Sequence, residues 1–200
     1  MSYNIPQKPL IDEQIIKKSR FITHIARSSN KDEAKAFIQS IRAQYPDARH
    51  HCWAYIAGHP TASINIGFSD DGEPSGTAGK PILNVLQHRG VGEIVLVVVR
   101  YFGGIKLGAG GLVRAYSSSA SLAMDKLETA TLVPCKSFNI TFDYQFEPNI
   151  QHLILNCGAT IESSNYTERI MLKISIPTMQ IETFNSQLIN ITAGKVFILS

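Results

Sequence analysis

EIVLVVVRYFGGIKLGAGGLVRAY, residues Glu93–Tyr116, places a continuous apolar run directly before a glycine-rich loop. Ile94–Val99 is short, mostly β-branched and free of polar residues, which is typical of a central strand buried on both faces. Five glycines follow, and the pattern then changes to that of a helix over Leu112–Leu127. The order strand, glycine loop, helix directs unpaired backbone N–H groups toward an anion. The segment therefore predicts an anion-binding surface next to a buried strand.

Basic residues surround the same loop and strengthen this prediction. The candidate anion-binding residues are Lys80, Arg100, Lys106, Arg114, Gly104, Gly108, Gly110 and Gly111. No nucleotide fingerprint accompanies them, because Gly76–Lys80 is shorter than a Walker loop and Val113 stands where a dinucleotide fold needs Gly or Ala. We therefore predict phosphate contacts without a bound cofactor.

The composition is that of an ordinary soluble globular protein. No apolar run approaches the ~18 residues of a membrane span, and residues 1–14 lack the features of a secretory signal, so a cytoplasmic location is expected. Three widely spaced cysteines without a CxxC pattern argue against a disulfide framework and a cysteine zinc site.

The positive charge is concentrated in the first two thirds of the chain. Residues 1–133 carry 15 Lys and Arg against 11 Asp and Glu, a balance of +4, whereas residues 134–200 carry 4 against 5, a balance of −1. A positive field of this size permits nucleic-acid contact without requiring it.

Hydrophobic periodicity predicts a mixed N-terminal part. We expect one strand over Gln14–Ala26 and, after a capping box, an amphipathic helix over Lys31–Gln44. Arg49–Ala57 alternates as a strand does and is predicted to form a hairpin with Ser63–Phe68. A helix over Pro81–Arg89 then precedes the central strand.

The pattern restarts after a polar, proline-containing boundary near Thr129–Pro134. A strand, a helix opened by Pro148, a hairpin, a second helix and a final strand follow. This βαββαβ order is that of the ferredoxin-like split βαβ fold. The chain is therefore predicted to be an α+β protein with domains at residues 1–132 and 133–200.

An acidic loop, Ser69–Lys80, lies between the predicted hairpin and its helix. Its carboxylates are Asp70, Asp71 and Glu73. They could shape turns, cap the following helix or pair with Arg100 or Arg114; they could form a recognition surface; or they could ligate a divalent cation. Structural or pairing roles are favoured and no metal site is predicted, because the loop lacks the EF-hand pattern.

His50, His51 and Cys52 suggest a zinc site or a nucleophile. Adjacent strand residues point to opposite faces, so the two histidines are poorly placed to share a metal. His50 and Cys52 could share one, but a tetrahedral site would then need two further ligands from elsewhere. A catalytic cysteine would need a base and an oxyanion donor, and the sequence identifies neither. Core or hydrogen-bonding roles are favoured.

Two long motifs resemble the signatures of the YigZ/Impact family. They are GFSDDGEPSGTAGKPIL at Gly67–Leu83 and VVVRYFGGIKLGAGGLVRAY at Val97–Tyr116. Lys18–Phe21 and Asp47–Cys52 are similar to its other recurring stretches. The resemblance implies an N-terminal domain like the second domain of ribosomal protein S5. It also implies a ferredoxin-like C-terminal domain similar to the last domain of elongation factor G.

The functional implications of the resemblance are narrower. Eukaryotic members regulate translation by competing for the activator of an initiation-factor kinase, and they use an additional N-terminal domain that is expected to be absent here. For the short bacterial-type members the resemblance implies a nucleic-acid or ribosome-linked role without an established enzyme activity.

The preferred prediction is therefore a non-enzymatic protein that binds RNA or ribosomal components and regulates translation, without contact with membranes. Tyr101 and Phe102 would stack on bases if they are exposed. Two alternatives remain open. One is an enzyme in which the acidic loop holds a metal and the glycine loop a phosphate ester or nucleotide; the other is a protein-interaction module that docks a translation partner through the acidic loop.

Overall fold

The computed structural model describes residues 2–199, and their contacts divide the chain into two compact units. One unit is Tyr3–Leu132; the other runs from Val133 onward and includes Ser2. Within the described range no helix is both long and apolar enough to cross a membrane. The structure contains both helices and strands, which confirms the mixed α+β class that the sequence predicted.

The N-terminal unit consists of one five-stranded sheet, a two-stranded sheet and three helices. Its strands are β1 (Tyr3–Pro6), β2 (Leu10–Ile16), β3 (Ser19–Arg27), β4 (His50–Ile56), β5 (Ile66–Ser69), β6 (Ile94–Tyr101) and β7 (Thr129–Leu132). Its helices are α1 (Lys31–Gln44), α2 (Gly79–Arg89) and α3 (Ala109–Lys126). The large sheet has the order β2-β3-β6-β4-β5 with antiparallel neighbours, and β1 pairs with β7.

The strand β6 lies at the centre of the sheet, and Ile94–Val99 is completely buried. Leu96 and Val98 belong to the core cluster that includes residues of α2 and α3. Val95 and Val97 belong to a second cluster with residues of α1. Both faces of the strand are therefore covered, which explains why its sequence is apolar without alternation.

The prediction of one strand over Gln14–Ala26 is wrong. Two antiparallel strands, β2 and β3, occupy this region, and they are joined at Lys17 and Lys18. Both lysines have positive φ angles, 48° and 66°. Tight hairpin turns usually place Asn, Asp or Gly at such positions, so two lysines gave no turn signal.

The predicted hairpin and helices of this unit are present, with shifted boundaries. Strand β5 begins at Ile66 rather than Ser63, whereas α1 has the predicted bounds, Lys31–Gln44. Asn30 caps α1 by accepting from the N–H groups of Asp32 and Glu33. Helices α2 and α3 each begin before the predicted residue, at Gly79 and Ala109, so glycines form their first turns.

The C-terminal unit packs two helices on one four-stranded antiparallel sheet. Its elements are β8 (Cys135–Phe142), α4 (Glu147–Asn156), β9 (Thr160–Tyr166), β10 (Ile170–Pro177), α5 (Ile181–Thr192) and β11 (Phe197–Leu199). The sheet order is β11-β8-β10-β9. Alternate residues of β10 are buried, beginning with Ile170 and Leu172, and they share one core with Phe184 and Leu188 of α5.

Candidate functional site

A cavity of about 310 Å³ opens in the N-terminal unit where β6 ends and α3 begins. We call it the glycine-loop cavity. It is lined by Arg49, His50, Glu73, Pro74, Arg100, Phe102, Lys106, Leu107, Gly108, Ala109 and Leu112. The start of β4, the acidic loop Ser69–Lys80 and the glycine loop therefore meet at this point. The antiparallel register explains part of this meeting, because His50 pairs directly with Arg100.

The N-terminus of α3 forms one wall of the cavity. Gly108 precedes the helix with φ 70°, a conformation that favours glycine, and no side chain caps the helix. The first helical hydrogen bond runs from the Leu112 N–H to the Gly108 carbonyl at 2.9 Å. The N–H groups of residues 109–111 precede this bond, so the helix N-terminus is available to an anion.

Two exposed cations also line the glycine-loop cavity. Arg49 and Lys106 both line the cavity, and neither forms an ion pair with any residue between 2 and 199. Phe102 also lines the cavity and is 52% exposed. The available surface thus combines positive charge, unpaired N–H donors and one aromatic ring.

Arg100 has a different position from these exposed cations. It is buried and donates from Nη1 to Glu73 Oε1 at 2.5 Å; the two side chains are 6% and 5% exposed. The Tyr116 hydroxyl donates to the same Glu73 oxygen at 2.9 Å. Because the pair is neutral as a unit, Arg100 adds little net positive charge to the cavity.

Asp70 organises the acidic loop through main-chain hydrogen bonds. Its carboxylate accepts from the N–H groups of Gly76, Ala78 and Gly79, at 2.8, 2.9 and 2.9 Å. Partial burial by itself would raise the pKa of Asp70, but the three hydrogen bonds together lower this pKa below its ordinary value. Asp70 therefore fixes the loop at the start of α2.

We expect Asp70→Asn to destabilise the protein at pH 7 by about 1–2 kcal/mol, because asparagine has one acceptor oxygen and no charge for the three N–H donors that both carboxylate oxygens accept from. The lowered pKa lies below the unfolded value of about 3.9, so its stabilisation is complete above that pH and is lost as the pH falls through the folded pKa. Urea unfolding at pH 7 and pH 3 should show the difference between wild type and variant shrinking at the lower pH. If wild type and variant differ in free energy of unfolding by the same amount at pH 7 and pH 3, Asp70 does not have this role.

Asp71 is also occupied by internal contacts. Its carboxylate accepts from Arg42 Nη2 at 2.5 Å and from the His51 N–H at 2.7 Å. Together with Asp70 and Glu73, all three acids of the loop are thus engaged in capping or pairing. Among residues 2–199 no group of three or more His, Cys, Asp or Glu side chains is arranged to hold a metal ion.

The remaining predicted anion-binding residues do not all line the cavity. Arg114 and Gly111 line a neighbouring basic depression together with Lys17. Lys80 is exposed, and its Nζ lies 5.7 Å from the centroid of the Phe68 ring. Leu107 lines both the cavity and the depression, so the two are adjacent.

The exposed Gly104 and Gly110 complete the predicted set. Neither appears among the cavity-lining residues, and a Cβ at either position would meet no atom within 4 Å. Gly104 lies in the same loop as Gly108, and Gly110 lies in the first turn of α3, but neither residue lines the glycine-loop cavity.

Sequence reasoning missed Arg49 as a site residue, and for His50 it considered a zinc site but favoured a core or hydrogen-bonding role. His50 Nδ1 lies 2.9 Å from the Asp71 carbonyl oxygen, and its ring lines the cavity. The only signal was their position at the start of β4, in a stretch that resembles the family motifs. Cys52 is buried, and burial raises the pKa of its thiol well above the ordinary value, so it is a protonated core thiol rather than a nucleophile.

Comparison with known proteins accounts for both units. Residues 17–124 match the Impact N-terminal domain, and residues 140–195 match a domain of unknown function, DUF1949. The chain is 43% identical to the IMPACT family member YigZ of Escherichia coli (strain K12), over all of this chain and 98% of that protein. It is 37% identical to the IMPACT family member YvyE of Bacillus subtilis (strain 168), over 92% of this chain and 83% of that protein.

A solved structure is similar over the whole chain. It is described as the crystal structure of an hypothetical protein and is 43% identical to this chain, with a TM-score of 0.73. The match covers all of this chain and 97% of the solved one.

Proposed function

The chain belongs to the IMPACT family, and on that premise we propose that its N-terminal unit binds RNA, alone or in the ribosome, through the glycine-loop cavity. The observation that carries this proposal is the uncapped N-terminus of α3 at a cavity with two unpaired cations, Arg49 and Lys106. Backbone N–H donors and fixed positive charge are the groups that bind phosphates in a nucleic-acid backbone.

An extended strand of RNA fits the surrounding surface better than an isolated phosphate ion does. Phe102 offers an exposed ring on which a base can stack, whereas the Tyr101 hydroxyl donates to Asp47 at 2.9 Å and its ring is only partly exposed. Next to the cavity, across Leu107, Lys17 and Arg114 supply positive charge for the following phosphates. A chain with several phosphates can use both basic regions.

The fold supports the same assignment. We infer that the N-terminal unit has the ribosomal protein S5 domain 2-like fold and the C-terminal unit the ferredoxin-like fold. For the latter, the support is the sheet order β11-β8-β10-β9, in which the third strand of the unit lies between the first two. Both folds occur in components of the translation machinery, which favours RNA or ribosomal partners and a role in translation.

The two alternative functions have less support from the geometry. A metal-dependent enzyme and an acidic docking loop both depend on free carboxylates. Asp70, Asp71 and Glu73 are instead bound to backbone N–H groups, to Arg42 and to Arg100. A non-enzymatic binding protein therefore remains the preferred function.

We expect the double variant Arg49→Ala, Lys106→Ala to bind a single-stranded oligoribonucleotide about tenfold more weakly at moderate salt. Each lost phosphate contact should lower the slope of log K against log salt by about 0.7, so the slope should fall by about 1.4. Fluorescence anisotropy over a salt series measures both quantities, and cosedimentation with ribosomes tests the larger partner.

Lys35→Ala provides the matched control. Lys35 is an exposed lysine of α1, and α1 packs on the opposite face of the sheet from α3. Its removal changes the net charge without changing the cavity. Equal losses in the control and in the cavity variant, corrected for the number of charges, would show that binding is a general charge effect; no salt-dependent binding by the wild type would refute the proposal.

A further inference from the structure

We propose that Glu73 and His50 recognise the ribose 2′-hydroxyl, so that the glycine-loop cavity selects RNA over DNA. This inference rests on the proposed RNA binding and assigns the residues that determine its sugar specificity. Two hydrogen-bond acceptors line this cavity. Acceptors do not bind phosphate oxygens, so they must serve another group of the ligand.

Glu73 supplies the first acceptor. Both of its hydrogen bonds, from Arg100 and from the Tyr116 hydroxyl, end at Oε1. Oε2 accepts from no residue between 2 and 199, although the Glu73 side chain is 5% exposed and lines the cavity. This carboxylate oxygen can therefore accept a hydrogen bond from a donor of a ligand in the cavity.

His50 supplies the second acceptor. Its Nδ1 lies 2.9 Å from the carbonyl oxygen of Asp71, and a carbonyl oxygen only accepts. Nδ1 must therefore carry the proton of the neutral ring, and Nε2 presents a lone pair. No residue between 2 and 199 donates to this nitrogen, and the ring lines the same cavity as Glu73.

The chemistry of the two nucleic-acid backbones explains why these acceptors discriminate. A DNA backbone contains phosphate, ether and ester oxygens and has no hydrogen-bond donor, so it would leave both acceptors unsatisfied. The 2′-hydroxyl is the only donor of an RNA backbone, and it distinguishes RNA from DNA at protein sites. Each hydroxyl has one proton, so it donates to Glu73 or to His50, and the other acceptor is available to the hydroxyl of a neighbouring ribose. Phosphates held by Arg49, Lys106 and the α3 N-terminus would bring the adjoining ribose to the wall that Glu73 and His50 form.

The test uses the full-length protein and three ten-residue oligouridines that differ only at the sugar 2′ position. They carry a hydroxyl, a hydrogen or a fluorine; the fluorinated sugar keeps the ribose-like pucker but has no donor. We expect the ribo-oligomer to bind at least about tenfold more tightly than both others, the range of a hydrogen bond to a charged acceptor. The base is the same throughout, so base contacts do not affect the comparison.

Three other outcomes of this binding experiment are possible, and each would refute a different part of the proposal. Equal, salt-dependent binding of all three oligomers would refute hydroxyl recognition and leave RNA binding in place. Tight binding of the fluorinated oligomer would show that the cavity selects sugar pucker rather than the hydroxyl. Absence of binding by all three would refute the proposed function itself.

Glu73→Gln locates the effect in the cavity. Its amide can still accept from Arg100 and Tyr116 at one end, while the free acceptor is replaced by a donor. We expect the ratio of ribo-oligomer to deoxy-oligomer affinity to fall to about one, whatever the change in overall affinity for polyanions, whereas Lys35→Ala should keep the wild-type ratio. If Glu73→Gln does not fold, His50→Ala serves as the second variant, with a partial loss of the ratio expected. Equal losses for both sugars in a folded variant would contradict the assignment.

Discussion

Replacing Glu73 with alanine is expected to lower the free energy of unfolding of the N-terminal unit by about 3–5 kcal/mol. The substitution would leave the Arg100 guanidinium buried without its counter-charge, because Arg100 Nη1 donates to Glu73 Oε1 at 2.5 Å. It would also remove the acceptor of the Tyr116 hydroxyl, which is itself buried. Urea unfolding followed by tryptophan fluorescence measures the change, since Trp53 lies in this unit.

A second substitution separates the unpaired charge from lost packing. In Glu73→Ala, Arg100→Met the buried charge is absent, and methionine keeps apolar contact with Phe21 and Phe102, whose ring centroids lie 5.5 and 5.7 Å from the guanidinium carbon. Apolar replacement of a buried ion pair is often nearly neutral, so the double variant should regain most of the lost stability. A double variant as unstable as Glu73→Ala alone would contradict this explanation.

Gly103→Ala is expected to destabilise the same unit by about 3 kcal/mol or more. A Cβ at this position would overlap the backbone carbonyl group of Lys18, which lies in the turn between β2 and β3. Backbone atoms do not move aside as the end of a flexible side chain does, so the strands must shift. The Gly103 N–H also donates to Ser19 Oγ at 3.2 Å, and that hydrogen bond would be lost in such a shift.

Gly110→Ala is the matched control for this prediction. Its Cβ would meet no atom within 4 Å, and its backbone is already helical. The change should be neutral or stabilising by up to about 1 kcal/mol, because alanine has less conformational freedom to lose on folding. Similar destabilisation at both positions would show that glycine content, rather than the contact with Lys18, sets the stability of the loop.

Structural features that depend on residues close together in the chain could be predicted from the sequence. The uninterrupted apolar composition of Ile94–Val99 predicted its burial on both faces. Asn30 directly precedes α1 and predicted its N-cap. The order of elements after residue 133 follows from alternation in β10, from Pro148 in the first turn of α4 and from a glycine at the end of that helix. Each of these signals is local, so no knowledge of distant contacts was needed.

The composition of the cavity could not be derived in this way, because it depends on which strands are neighbours. Arg49 and His50 reach the glycine loop only because β4 pairs with β6 in a register that sets His50 opposite Arg100. The choice of Glu73 as the partner of Arg100 is likewise a tertiary contact, and it converts a predicted phosphate ligand into half of a neutral pair. Sequence reasoning could identify Arg100–Glu73 pairing only as one option among several.

Pairing of Arg100 with Glu73 has a consequence for how the cavity would attract a polyanion and how it would select one. In a cluster of unpaired cations, the same charges would do both. Attraction of a polyanion from a distance would come from the exposed cations Arg49 and Lys106, so dissolved ions would weaken it. Discrimination among captured molecules would instead come from short-range fit against rigid atoms, which dissolved ions barely alter. If the proposed binding holds, a change in ionic strength should therefore alter the affinity for RNA far more than the preference for RNA over DNA.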